Sequence, residues 1–183
     1  MRQLQEARGR SKKLRRASGV ASFSGWSTEV FGILTLLFSL PGFSWVGILL
    51  GAGMCIIGWV EIKGSTGFLR MDLKTPKRLS INQLCFAALL IGYAGWNMYA
   101  AMSGPGALAQ ELQNNGLSQE QAAPYASLEK AMYVGVYGGV IVFSVIFQGS
   151  AALYYRSRQG VMREYASRTP GWILELQRRD GLI

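Results

Sequence analysis

Four long apolar blocks, separated by short polar stretches, constrain this chain more than any other feature. They run over 20–40, 43–62, 79–102 and 131–155. A helix rises about 1.5 Å per residue, so each block is long enough to cross a hydrocarbon core of about 30 Å. The blocks are apolar all round rather than striped, which is the pattern of a segment surrounded by lipid. Pro41-Gly42 closes the first block, and Ser103-Gly104-Pro105-Gly106 closes the third. The expected fold class is therefore all-α: a polytopic membrane protein with four transmembrane helices in a bundle.

Charge supplies the orientation. Of 19 Lys and Arg residues, seven lie in the N-terminal segment 1–19, five between the second and third blocks, and six after Tyr155. The long connection 103–130 holds only Lys130, beside three glutamates. Basic residues are retained on the cytoplasmic side. Four spans place 18 of the 19 there, with both termini cytoplasmic in a cell inner membrane. Fusing the first two blocks through Pro41 would put five basic residues outside, so that arrangement is rejected.

The net charge of +9 raises the question of nucleic acid. The charges alternate along the chain with apolar blocks and carry no interleaved aromatic residues, so no nucleic-acid partner is expected. Arg10, Lys12, Lys13, Arg15 and Arg16 are instead expected to meet anionic lipid head groups, each worth roughly 1 kcal/mol near such a surface. The segment 1–19 is too charged to fold alone and reads as a tail. The tail 156–183 carries a further expected helix over about 170–179. Trp172, Ile173 and Leu176 would share one of its faces, lying on the inner leaflet.

Between blocks two and three, KGSTG reads as a loop, and Thr75-Pro76 as a helix start. In the connection 103–130, residues 107–115 have helix-favouring composition and end at Gly116. Ser118-x-x-Gln121 is a capping box for a second short helix.

Catalytic and metal chemistry find little to work with. The chain has no histidine, hence neither the commonest general base nor the commonest metal ligand. Cys55 and Cys85 fall inside spans and read as small buried side chains. No catalytic residues, metal or cofactor are expected.

One acid stands inside the first block. If that helix is continuous to Leu40, Glu29 lies about 17 Å from its outer end, near the bilayer midplane. A carboxylate there costs roughly 2.5–3.5 kcal/mol or more, so it should be protonated or paired. Tyr93 and Ser144 reach a similar depth and are the candidate hydrogen-bonding partners. Alternatively Ser27 is an N-cap and Glu29 sits in a first turn, favoured by the helix dipole. Capping grammar favours the second reading and length the first. Asn97 and Gln148 read as interhelical hydrogen-bonding groups.

Small-residue pairs at i, i+4 let helices approach closely in lipid. Gly47/Gly51, Ala88/Gly92 and Gly135/Gly139 are such pairs, suited to packing within the bundle or to a homo-oligomer. Trp45, Trp59, Trp96, Tyr99, Tyr154 and Tyr155 lie near span ends, as an interfacial aromatic belt would.

GWSTEVFGILTLLFSLPG, then GWVEIKG, then a basic connection leading to INQL, resembles a group of uncharacterised small bacterial inner-membrane proteins, over residues 25–100. The resemblance implies four helices and a bacterial cytoplasmic membrane, and brings no activity or site. Two functions are compatible with these features. One is an accessory, assembly or scaffold subunit of a membrane complex. The other is a small transporter or oligomeric channel for a proton, cation or small molecule, using Glu29.

Overall fold

The structure is a computed structural model describing residues 2–172 and 175, with side chains described from residue 12 onward. Among the described residues it is helical without strands: α1 (Arg2–Ser39), α2 (Trp45–Leu69), α3 (Thr75–Ser103), α4 (Ala107–Asn114) and α5 (Gln119–Arg168). Four of these, α1, α2, α3 and α5, contain stretches long and apolar enough to cross a membrane. The expected helix over 170–179 lies largely outside the described residues.

The helices overrun the apolar blocks. α1 begins at Arg2 rather than near residue 20, so the basic segment is helical and not a structureless tail. Leu14, Ala17 and Ala21 explain why: all three are buried, on one face, while Lys12, Lys13, Arg15 and Arg16 are exposed. An apolar stripe at i, i+3, i+7 packs against other helices and stabilises what composition alone would leave unfolded.

α2 likewise continues through KGSTG to Leu69, and the loop expected there is absent. Its glycines are sites of close approach, Gly64 against Leu79 and Gly67 against Thr75. Ser65 and Thr66 donate back to the carbonyls of Ile62 and Lys63. The actual turn is at 70–74. Met71 adopts a left-handed φ of 60°, and Asp72 accepts hydrogen bonds from the Lys74 amide and the Thr75 hydroxyl. α3 then starts at Thr75-Pro76, as the sequence indicates.

The capping box at Ser118 also forms. The Gln121 amide donates to Ser118 Oγ at 3.3 Å, and the Ser118 amide donates to Gln121 Oε1 at 3.1 Å. It opens not a separate short helix but the 50-residue α5, which runs on past Arg156 and Arg158. α4 is the one short helix of this connection. Its first amides, of Ala107 and Leu108, donate to the Glu129 carboxylate at 3.1 and 3.0 Å, so a carboxylate meets the positive end of the helix.

Two compact units divide the described chain. One comprises Met1–Phe86 with Gln148–Ile183, the other Ala87–Phe147. In the first, α1 and α2 form an antiparallel hairpin whose contact is built on glycine. A methyl added at Gly58 would lie 2.8 Å from the Glu29 backbone nitrogen and 2.8 Å from the Gly25 carbonyl oxygen. One added at Gly32 would lie 2.9 Å from the Cys55 nitrogen, and at Gly51, 2.9 Å from the Leu36 nitrogen. Gly25 and Gly32, like Gly51 and Gly58, are seven residues apart, which returns both to one helix face. Backbones can meet this closely only where no Cβ intervenes. The same unit holds the main apolar core: Leu14, Ala17 and Ala21 with Phe68, Leu79, Tyr155, Met162 and Tyr165. These residues come from the ends of α1, α2, α3 and α5 that border the basic segments.

Candidate functional site

Polar residues inside apolar helices are the groups whose presence needs an account. The continuous α1 decides between the two helix starts considered for Glu29. Ser27 is no N-cap; its hydroxyl donates to the Phe23 carbonyl at 2.8 Å, within the helix. Glu29 therefore sits in mid-helix, ten residues before the end of α1. Its half-buried side chain occupies the room left by Gly58 and lies beside Cys55, and its Oε2 is buried without a hydrogen-bond partner.

The two hydroxyls considered as its partners belong to the other unit, where each has its own surroundings. Ser144 Oγ donates to the Val140 carbonyl at 2.7 Å on its own helix. Tyr93 packs edge-on against Tyr137, ring centroids 5.9 Å apart. Asn97 donates to the Tyr93 carbonyl at 2.8 Å.

A second acid, Glu61, forms the more developed polar constellation. It is fully buried. Gln83 Nε2, from α3, donates to Glu61 Oε1, and Tyr155 Oη, from α5, donates to the same oxygen at 3.1 Å. Ser24, on α1, faces the carboxyl from a further side. Oε2 accepts no hydrogen bond. One residue along α3, Asn82 Nδ2 donates to the Ile57 carbonyl at 3.0 Å, a second polar link between α3 and α2. Tyr155 also stacks on Phe68 at 6.2 Å, so its ring belongs to the core and its hydroxyl to the carboxyl. It is therefore not a member of the aromatic belt: a buried phenol needs a hydrogen-bond partner, and the carboxyl provides it. Trp59 fits the belt better, exposed and covered by Lys63 Nζ at 3.7 Å from the ring centroid.

Glu61 escapes a reading by sequence. It precedes Lys63 at the end of the second apolar block, where an acid reads as an interfacial residue. The signal that would find it is the set Glu61, Asn82, Gln83 and Tyr155, polar groups near the same ends of three apolar blocks.

The second unit contains a cleft of about 290 Å³ between α3, α4 and α5. Asn97, Gln110, Glu129 and Tyr133 supply its polar lining. The Glu129 carboxylate is already committed to the start of α4.

Of the small-residue pairs, Gly47 faces Ser39 and Gly51 faces Leu36. Gly92, Gly135 and Gly139 have nothing within 4 Å of an added methyl, and Ala88 is exposed. Gly25, Gly32 and Gly58, which form the α1–α2 contact, stand outside every i, i+4 pair read from the sequence. Lys12, Lys13, Arg15 and Arg16 are exposed on the first turns described in full; the Arg10 side chain lies outside the described residues. Both cysteines are free. Among the described residues no group of three or more His, Cys, Asp or Glu is placed to hold a metal. Comparison of the chain with protein-family models, with curated proteins and with solved structures gives no match.

Proposed function

We propose that this chain is an accessory, assembly or scaffold subunit of a membrane complex, multi-pass in a bacterial inner membrane with both termini cytoplasmic. The observation that carries the reading is the contrast between two sets of glycines. Gly25, Gly32, Gly51 and Gly58, on α1 and α2, are met by a neighbouring backbone, whereas Gly92, Gly135 and Gly139, on α3 and α5, are open. Lipid tails gain nothing from glycine, while a transmembrane helix of another chain can pack closely on it. Exposed Val136, Val142 and Phe143 continue the same stretch of α5. The basic first turns of α1 suit contact with anionic head groups at the cytoplasmic surface. Gentle extraction from the native membrane, followed by mass measurement and identification of the components, tests this. A stable complex with another membrane protein is the expected result; recovery solely as a free monomer overturns it.

A transport reading, for a proton, cation or small molecule, draws on the buried, unpartnered Oε2 of Glu29. On that reading Glu29→Gln abolishes flux into liposomes. Unchanged flux removes Glu29 from any such mechanism.

A further inference from the structure

The Glu61 constellation is asymmetric in a way that bears on its chemistry. A carboxylate spreads its charge over two equivalent oxygens, and each, when buried, needs donors or a cation. A carboxylic acid has one carbonyl oxygen that accepts and one hydroxyl that donates. Here two donors, Gln83 Nε2 and Tyr155 Oη, converge on Oε1, and none reaches Oε2.

No cation compensates the carboxyl among the described residues. Lys63 is turned to the Trp59 ring, and the Arg158 guanidinium lies over the Tyr154 ring at 4.3 Å. The groups that face Glu61 are Ser24 from α1, Gln83 from α3 and Tyr155 from α5. Of these only Tyr155 can titrate, and a phenol remains protonated at neutral pH. Glu29, the other acid within the apolar blocks of the hairpin, is directed at Gly58 and Cys55.

We infer that Glu61 is a proton-binding site, held at neutral pH as the neutral acid, with Oε1 its carbonyl oxygen and Oε2 its hydroxyl. Ser24 faces the carboxyl from α1, while Gln83 and Tyr155 tie Oε1 to α3 and α5. Release of the proton passes H⁺ to a water or buffer base and leaves a carboxylate with one bare oxygen among four apolar helices. That buried, unpartnered charge destabilises the surrounding packing, so the site couples the protonation state to the packing of the helix ends beside the basic segments.

The test is infrared spectroscopy of the full chain in lipid nanodiscs in heavy water, with isotope-labelled glutamate to mark the carboxyl carbonyl band. In Glu29→Gln, Glu61 is the remaining acid within the apolar blocks of the α1–α2 hairpin. A protonated-carboxyl band is expected at neutral pH in the natural chain and in Glu29→Gln. Its absence from Glu29→Gln overturns the inference.

A second measurement separates proton binding from a merely structural role. Hydrogen bonds to an ionised acceptor are stronger than those to a neutral one. Tyr155→Phe removes a donor that favours the ionised form, so the band should persist to higher pH than in the natural chain; an unmoved midpoint overturns the assignment. Thermal unfolding gives a third readout. The folded chain holds a proton that the unfolded chain releases, so stability falls as pH rises. Glu61→Gln should remove that component of the slope, and parallel pH profiles for the two proteins would contradict it.

Discussion

At the scale of single residues, the side chain that is missing matters as much as those present. Gly58 leaves room for Glu29 and lets α2 reach the backbone of α1. In Gly58→Ala the new methyl must displace backbone rather than a flexible side-chain tip. A cost of about 1–3 kcal/mol is expected, as for other overpacked sites. Gly139→Ala adds its methyl to open space and should change the stability of the isolated chain by less than about 0.5 kcal/mol. Denaturant unfolding of both variants in the same detergent checks the pair. A similar loss in both would mean that the glycine contacts of the hairpin do not govern its stability. The i, i+4 pattern does not show which glycines are filled, because Gly47/Gly51, which meet a neighbour, and Gly135/Gly139, which meet none, share that spacing. The seven-residue interval between Gly25 and Gly32, repeated at Gly51 and Gly58, was the more informative signal.

At the scale of elements, helix existence was legible and helix ends were not. The apolar blocks locate α1, α2, α3 and α5, and the turns at Pro41-Gly42 and Gly104-Pro105 fall where chain-breaking residues put them. The ends fail where tertiary contacts overrule local composition. Charge hides the Leu14, Ala17, Ala21 stripe, and the glycines of KGSTG look like a flexible loop while serving close packing against Leu79 and Thr75. If that stripe is what holds the basic segment helical, Leu14→Ala should cost about 2–5 kcal/mol, the range for a large buried aliphatic side chain. Hydrogen exchange should then show residues 12–20 losing protection first. Unchanged exchange there would mean that the segment is helical without its core contact.

At the scale of the whole molecule, hydropathy and the distribution of Lys and Arg carry most of what can be read without coordinates. They specify four apolar segments and the ends where the basic residues gather, since both follow from the cost of placing charge or bare backbone in hydrocarbon. They do not specify which polar residues meet. Glu61, Gln83 and Tyr155 come together only because three separate helices converge, and no local pattern encodes that. Glu29 is conspicuous by its isolation in an apolar run, whereas Glu61 stands near the end of its block, two residues before Lys63.

The hydrogen bond from Tyr155 to Glu61 spans 94 positions of the chain, and this separation orders events during synthesis. At about 5–20 residues per second, Glu61 is made some 5 to 20 seconds before the hydroxyl that completes its surroundings. Throughout that interval the nascent chain carries an acid lacking one of its two donors, and a product that stops short of α5 carries it permanently. The carboxyl's surroundings are thus complete only once α5 has been made as far as Tyr155.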